Sequence, residues 1–200
     1  MREKKHQLRT EALLRRDARP SSELRLWNQQ IQERVVDFLP YLMSCSVALY
    51  SPIGNEIATE EIREHALRTG KKLFYPKLTQ GDDLNLVAVN SAEEMRLGRY
   101  GILEPAGNRV LTEEDREGLI VFVPGVIFDL HGNRLGRGRG WYDRLLKFLG
   151  GGPRFAALAY EFQVVENLPA EEWDRKVDHI ITERRIIDCG SIPSRSGWVC

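Results

Sequence analysis

Residues 123–146 read VPGVIFDLHGNRLGRGRGWYDRLL and carry the strongest structural signal in the chain. Between Gly136 and Gly140, three glycines alternate with two arginines. Glycine has no Cβ, so its backbone can approach a ligand closely, and successive N–H groups in such a loop can form an anion site. The run before it, 119–123 (LIVFV), predicts a buried strand, and 141–149 has the apolar spacing of a helix. A glycine loop that leads into a helix N-terminus is typical of a phosphate site.

The charges around this loop also indicate a phosphate site. Five basic side chains accompany the single carboxylate of Asp143, and this balance suits a polyphosphate with a bound metal ion. The basic residues are Arg134, Arg137, Arg139, Arg144 and Lys147. The stretch is neither a Walker A loop nor a dinucleotide fingerprint, because both spacings are absent. A glycine-rich turn without a ligand is the alternative, but turn geometry alone explains alternating arginines poorly.

The composition indicates one globular domain and excludes several classes of protein. The chain has 200 residues, of which 42% are hydrophobic, and its formal net charge is zero. A neutral chain gives no reason to expect nucleic acid or an anionic membrane surface as a partner. The 3 cysteines have no paired spacing, which predicts neither a disulfide framework nor a zinc site. With no signal-peptide pattern and no apolar run long enough for a membrane span, we expect a cytoplasmic protein.

Alternating strand and helix patterns predict an α/β fold: a three-layer, Rossmann-like sandwich with a mostly parallel central sheet flanked by helices. The predicted helices cover 3–19, 22–39, 59–70 and 141–149. The predicted strands cover 45–50, 72–76, 84–89, 119–123 and 154–160. A capping-box pattern at Ser91–Glu94 predicts one or two helical turns ending near Gly98. We expect one domain over 1–183, a poorly ordered tail over 184–200, and ligands beyond the carboxyl ends of the strands.

The glycine-loop stretch resembles the signature of the 5-formyltetrahydrofolate cyclo-ligase (5,10-methenyltetrahydrofolate synthetase) family, PG-x-x-FD-x-x-G-x-RLGxGxGYYD. The resemblance continues over roughly residues 4–182. It implies an ATP- and Mg²⁺-dependent ligase that phosphorylates the formyl oxygen of 5-formyltetrahydrofolate, after which N10 attacks and phosphate leaves. One departure is Trp141, which stands where the family usually has the first tyrosine of a pair. The indole keeps a stacking surface but lacks the phenol hydroxyl.

The resemblance also implies roles for individual residues. Lys5, Leu8 and Arg9 match a K-x-x-L-R element that contacts ATP, and Glu56–Thr59 matches an E-[IV]-x-T element that binds folate. The implied ATP-binding residues are Lys5, Arg9, Arg134, Leu135, Gly136, Arg137, Gly138, Arg139, Gly140, Trp141 and Tyr142. The implied folate-binding residues are Tyr50, Glu56, Tyr100, Gly138 and Trp141. The implied catalytic residues are Glu56, Arg137 and Arg139, and the implied Mg²⁺ ligands are Asp143 and Asp178.

Each of these roles has an ordinary structural alternative. Glu56 would otherwise be an exposed loop glutamate, and Tyr100 a tyrosine at the rim of the fold. Asp143 would favour the first turn of a helix, and Asp178 would cap a strand. For the whole chain, the alternatives are a non-catalytic folate- or nucleotide-binding paralogue and an RNA-binding protein. The resemblance favours a monomeric enzyme with a small-molecule substrate.

Overall fold

The computed structural model describes residues 2–171 and 174–190, and these form an α/β fold around a seven-stranded sheet. The helices are α1 (Arg2–Asp17), α2 (Ser21–Val36), α3 (Leu39–Leu42), α4 (Glu60–Arg68), α5 (Glu113–Arg116) and α6 (Trp141–Leu149). The strands are β1 (Ser46–Ala48), β2 (Lys72–Leu78), β3 (Leu84–Val89), β4 (Met95–Leu97), β5 (Leu103–Pro105), β6 (Leu119–Val123), β7 (Ile127–Asp129), β8 (Arg134–Leu135), β9 (Arg154–Leu158), β10 (Val164–Val165), β11 (His179–Ile181) and β12 (Ile186–Asp188).

The large sheet has the order β12-β11-β9-β6-β1-β2-β3. Its five inner strands, β11 to β2 in this order, pair in parallel, and the two edge strands pair antiparallel. Two smaller sheets accompany it, the hairpin of β4 and β5 and a three-stranded sheet in the order β10-β7-β8. The predicted mostly parallel sheet is therefore confirmed.

Both faces of the large sheet are covered, as a parallel sheet requires. Along β6, Ile120 and Phe122 pack against α2, α3 and α4 on one face. On the other face, Val121 packs with the three buried residues of α6, Leu145, Leu146 and Leu149. Because successive side chains of a strand point to opposite faces, the run LIVFV fills both core layers and is buried throughout. This arrangement confirms the three-layer sandwich.

Two predictions of local structure are wrong. After Ser91 only one 3₁₀ turn forms, Ala92–Glu94, because Ser91 makes no capping bond and the chain continues as the strand β4. The tail was predicted to begin at residue 184, but β12 joins the edge of the large sheet by pairing with β11. Residues 191–200 of that predicted tail lie outside the described residues. Among the described residues, every helix is too short or too polar to cross a membrane.

The connections after β6 and β1 place the candidate functional residues at one edge of the sheet. From β6 the chain passes through Pro124 and Gly125 into the small sheet of β7 and β8, and the glycine loop 136–140 follows directly. From β1 it passes into the loop that carries Glu56 and then into α4. Because these parallel strands point the same way, their carboxyl ends bring both loops to one cleft.

Candidate active site

A cleft of about 1090 Å³ lies where the loop after β1, the glycine loop and α1 converge. Its volume suits a nucleotide together with a second small molecule. Most of the residues predicted for the site line it. These are Lys5, Arg9, Glu56, Tyr100, Arg134, Leu135, Gly136, Arg137, Gly138, Arg139, Gly140, Trp141, Tyr142 and Asp143. The cleft therefore joins residues from the first helix, three loops and α6.

The glycine loop needs its glycines for conformation and for space. Gly138 and Gly140 have φ angles of 98° and 67°, a left-handed region that L side chains rarely adopt. A Cβ on Gly136 would lie 2.8 Å from Nη1 of Arg134. Gly140 is the N-cap residue of α6, so the loop delivers the N-terminus of that helix to the cleft. Free N–H groups and the helix dipole then favour an anion there.

Arg134 anchors the base of the loop. Its side chain is nearly buried, and Nη2 donates to Oδ1 of Asp143 over 2.6 Å. Nη1 donates to the carbonyl oxygen of Pro124 over 3.3 Å. A buried guanidinium with a carboxylate partner is a fixed positive charge in the cleft wall. Asp143 keeps a side chain that is 42% exposed, so it can still reach a ligand.

Helix α1 closes the cleft from the other side. Arg9 donates through Nε to the carbonyl oxygen of Gly136 over 2.8 Å, which ties the helix to the glycine loop. Lys5 lies between two carboxylates, 3.1 Å from Glu171 and 2.9 Å from Asp174. Burial acts to lower the pKa of Lys5, but hydrogen bonds and charge from Asp174 and Glu171 outweigh it and raise that pKa. Lys5 is therefore a charged lysine held in a fixed position.

Glu56 lies beside the glycine loop and is only 9% exposed. Its Oε1 accepts from Nε of Arg137 over 3.0 Å, and its Oε2 accepts from the backbone N–H of Ile53 over 3.0 Å. Arg137 also donates to the carbonyl oxygen of Ile53 over 3.2 Å. The predicted folate-binding glutamate and the predicted phosphate-binding arginine are thus direct partners in this structure.

The outer rim of the cleft is aromatic. The rings of Tyr100 and Trp141 are 5.4 Å apart, and the guanidinium of Arg139 lies 4.7 Å from the first ring and 5.0 Å from the second. Tyr100 comes from the β4–β5 hairpin, whereas Trp141 and Arg139 flank the start of α6. The outer faces of such rings can stack on a planar heterocycle. Deeper in the cleft, burial first and the Glu56 carboxylate second raise the pKa of Tyr142, so its phenol stays protonated.

Two predicted site residues do not reach the cleft. Tyr50 is fully buried, and its hydroxyl donates to the carbonyl oxygen of Ile57 over 2.9 Å, so it supports the Glu56 loop from behind. Asp178 is 6% exposed, and its carboxylate accepts from the backbone N–H of Phe155 over 2.8 Å. Burial raises the pKa of Asp178. It stabilises the pairing of β9 with β11 and does not join Asp143.

Sequence reasoning missed the acidic residues that do line the cleft. Glu171 and Asp174 stand in the segment before β11, where the chain reads PAEEWDRKVD over 169–178. The two aspartates of this segment are four residues apart, and Asp174 is the one that faces the cleft. The only feature of the sequence that could have indicated these residues is the density of acidic side chains before a strand. By itself, that feature predicts only a solvated loop. Within the described residues, no group of three His, Cys, Asp or Glu side chains is arranged for a metal ion.

Comparisons with known proteins show what this chain is similar to. The model of the 5-formyltetrahydrofolate cyclo-ligase family matches residues 1–183. The 5-formyltetrahydrofolate cyclo-ligase of Mus musculus is 31% identical over 90% of this chain and 93% of its own length. The enzyme of the same name from Escherichia coli K12 is 30% identical over 86% of this chain and 96% of its own length.

Solved structures give the same result. An NMR structure of the 5,10-methenyltetrahydrofolate synthetase of Aquifex aeolicus superposes with a TM-score of 0.82 at 34% identity, covering 96% of each chain. The 5,10-methenyltetrahydrofolate synthetase of Mycoplasma pneumoniae superposes with a TM-score of 0.69 at 26% identity, covering 90% of this chain and 98% of that one. The similarity therefore includes the fold and covers 93–98% of the length of these relatives.

Proposed function

The chain belongs to the 5-formyltetrahydrofolate cyclo-ligase family, and we propose that its cleft converts 5-formyltetrahydrofolate to 5,10-methenyltetrahydrofolate with consumption of ATP. The observation that carries this proposal is the contact between Arg137 and Glu56. It brings an arginine-rich glycine loop, suited to phosphates, against a nearly buried carboxylate, suited to the reduced pterin. The two reactants would therefore meet where the loops meet.

The reaction needs activation because the formyl oxygen is a poor leaving group. Transfer of the γ-phosphoryl group from ATP to that oxygen forms an O–P bond and releases ADP. N10 then attacks the formyl carbon and loses its proton, and the C–O bond breaks with release of phosphate. The protein's contribution is positioning and stabilisation of charge on the transferring phosphoryl group. Arg134, Arg137 and Arg139, with the N–H groups of the glycine loop, are the proposed donors.

The acidic residues of the cleft can hold Mg²⁺. They include Asp143, one of the two predicted ligands, but not Asp178, the other. Mg²⁺ in nucleotide sites uses one or two carboxylates together with phosphate oxygens and water, so a cluster of three acids is not needed. We infer that Asp143 and Asp174 are these carboxylates, because both line the cleft and Asp178 does not. When bound, Mg²⁺ would neutralise charge on the phosphates. Lys5, which contacts Asp174 at 2.9 Å, would hold that carboxylate in place.

The decisive experiment is incubation of the protein with ATP, Mg²⁺ and 5-formyltetrahydrofolate, with the near-ultraviolet absorbance of the methenyl product followed over time. We expect the product to form only when all three are present, with one ADP released per product. Equal product formation without nucleotide would contradict the phosphorylation step. Binding of both ligands without turnover would instead indicate the non-catalytic paralogue, which the match to named ligases does not favour.

The expected state and location of the enzyme are also proposals. We propose a cytoplasmic monomer, the state and location that the sequence predicts. No helix within the described residues is long and apolar enough to cross a membrane. Analytical ultracentrifugation at micromolar concentration tests whether the protein is a monomer. A stable dimer would show that a second chain covers part of the surface.

A further inference from the structure

The guanidinium of Arg144, near the start of α6, makes three hydrogen bonds to two different parts of the chain. Its Nη1 donates to the carbonyl oxygen of Arg139 in the glycine loop over 3.2 Å. Its Nε donates to Oδ1 of Asp83 over 2.6 Å, and its Nη2 donates to the carbonyl oxygen of Asp82 over 2.9 Å. Asp82 and Asp83 belong to the turn between β2 and β3. Arg144 therefore joins the glycine loop to a hairpin of the large sheet, although it does not line the cleft itself.

The β2–β3 turn is a firm support, because its own backbone is hydrogen-bonded. The N–H of Thr79 donates to the carbonyl oxygen of Asp83 over 2.8 Å, and the N–H of Asp82 donates to that of Thr79 over 3.2 Å. The N–H of Asp83 donates to Oγ1 of Thr79 over 3.2 Å. The strands on either side pair antiparallel through six residue pairs. The two acceptors that hold Arg144 on this side are thus fixed by the sheet.

The contact with Arg144 sets the direction of one peptide group in the glycine loop. The peptide between Arg139 and Gly140 is trans, so its C=O and its N–H point in opposite directions. The C=O points at Arg144, and the N–H of Gly140 therefore points away from it. Within the described residues, no carbonyl oxygen accepts from that N–H. It is a free donor at the N-terminus of α6, and both Arg139 and Gly140 line the cleft.

Rotation of this peptide would harm an anion site in two ways. It would turn the N–H donor away, and it would present the partial negative charge of a carbonyl oxygen to the phosphate. Gly140 has a φ angle of 67° and no side chain, so nothing within the residue itself opposes such a rotation. The hydrogen bond from Arg144 to the carbonyl oxygen of Arg139 does oppose it.

We propose that Arg144 is a positioning residue for the glycine loop, holding the carbonyl oxygen of Arg139 against the β2–β3 turn so that the N–H of Gly140 faces the phosphates of ATP. The proposal rests on the proposed function, because it assumes that the glycine loop binds the nucleotide. Arg144 touches no ligand. It acts through the backbone, and the carboxylate of Asp83 keeps its guanidinium in place.

Removal of the guanidinium should weaken nucleotide binding. In Arg144→Met, we expect the Kd for ATP with Mg²⁺, measured by titration calorimetry without folate, to rise about tenfold, as for the loss of one hydrogen bond to a charged ligand. Arg144→Lys keeps the positive charge, but a single ammonium cannot hold three acceptors in the geometry of a guanidinium, so we expect a rise of about fivefold. Wild-type affinity in Arg144→Lys would mean that Arg144 contributes only its charge, and it would overturn the proposal.

Asp83→Ala separates positioning from charge by the sign of its effect. This variant removes a negative charge from the neighbourhood of the phosphates, so electrostatics alone predicts a lower Kd for ATP. If Asp83 keeps Arg144 in place, the Kd should instead rise about threefold. Because the ion pair is exposed, the midpoint of urea unfolding should stay close to that of the wild type. A lower or unchanged Kd would contradict the positioning role.

A double-mutant cycle tests whether the two residues act together. Since Asp83 acts through Arg144, Asp83→Ala should raise the Kd for ATP no further in the Arg144→Met background. The matched control is Lys147→Met, which removes an exposed basic side chain of α6 outside the cleft. Its Kd should stay within about twofold of the wild type. Additive losses in the cycle, or an equal rise in Lys147→Met, would also overturn the proposal.

Failure of the proposed function and failure of this inference give different results. A wild-type protein that binds ATP but forms no methenyl product would overturn the proposed function, and the ATP titrations would still decide the role of Arg144. A wild-type protein that binds no ATP would overturn both. If Arg144→Met does not fold, Arg144→Lys and Asp83→Ala decide the question.

Discussion

Two consecutive segments of one motif, the β7–β8 hairpin at 127–135 and the glycine loop at 136–140, are held in opposite ways. In the hairpin, Asp129 is completely buried and accepts from the backbone N–H groups of His131, Asn133 and Leu168 at 2.8–2.9 Å. In the glycine loop, the arginines are exposed, and their partners are side chains and carbonyl oxygens across the cleft.

This difference indicates that the two segments have different roles, the hairpin in support and the glycine loop in binding. Backbone donors fixed in a buried turn cannot be exchanged for a ligand, so the hairpin is a support that sets the direction of Arg134. The contacts of an exposed arginine can be exchanged for phosphate oxygens more readily than backbone donors in a buried turn, so the loop is a binding surface. A carboxylate in the first segment should therefore control stability, and an arginine in the second should control activity.

The strongest test of this division is Asp129→Ala. Loss of the carboxylate leaves three backbone donors without their partner, two of them partly buried and that of Leu168 buried, and each buried donor costs about 1–3 kcal/mol. We expect the free energy of unfolding to fall by about 4 kcal/mol, measured by urea titration. The control is Asp83→Ala, which removes an ion pair with Arg144 at 2.6 Å whose partners are both at least half exposed. That loss should stay below about 1 kcal/mol, and equal losses in the two variants would contradict the supporting role of Asp129.

For Arg137→Met we expect a large loss of activity and a small loss of stability. This variant removes a proposed phosphate donor, so kcat/KM for ATP should fall about a hundredfold, equivalent to about 2.7 kcal/mol of transition-state stabilisation. The free energy of unfolding should fall by only about 1–2 kcal/mol, because the side chain of Arg137 is 40% exposed although that of its partner Glu56 is 6% exposed. Arg184→Met, at a side chain that is 72% exposed and outside the cleft, serves as the control. Loss of stability with full activity would reverse the roles of the two segments.

A smaller effect distinguishes the two aspartates before β11. Asp174→Asn should raise the Mg²⁺ concentration for half-maximal rate about tenfold, because a proposed metal ligand loses its charge. Asp178→Asn keeps an acceptor for the N–H of Phe155 and lies outside the cleft, so its Mg²⁺ curve should overlay the wild type. The measurement is a Mg²⁺ titration at fixed ATP. A shifted curve in Asp178→Asn alone would restore Asp178 as the ligand.

These aspartates also show how far the sequence predicts the site. The strand β6 and the helix α6 have the predicted bounds, because an apolar run and a regular apolar spacing are local properties. Which of two aspartates four residues apart faces a cleft depends on the tertiary packing of the segment before β11, and the sequence does not encode this locally. The wrong prediction for Tyr50 has the same origin. Its position at the end of β1 is visible in the sequence, but the direction of its ring into the core is not.

The smallest expected effect concerns Trp141, which stands at the boundary between loop and helix. The indole packs 5.4 Å from the ring of Tyr100, with the guanidinium of Arg139 5.0 Å from its own ring, and it forms no hydrogen bond to a side chain within the described residues. Tyrosine retains a flat ring with the same stacking geometry, so Trp141→Tyr should keep kcat/KM for folate within about threefold, or about 0.7 kcal/mol. Trp141→Leu removes the ring and should cost about tenfold. The two variants are compared with the wild type by steady-state kinetics. A tenfold loss in Trp141→Tyr as well would mean that the glycine loop has repacked around the indole, and that this part of the binding surface is as fixed as the hairpin before it.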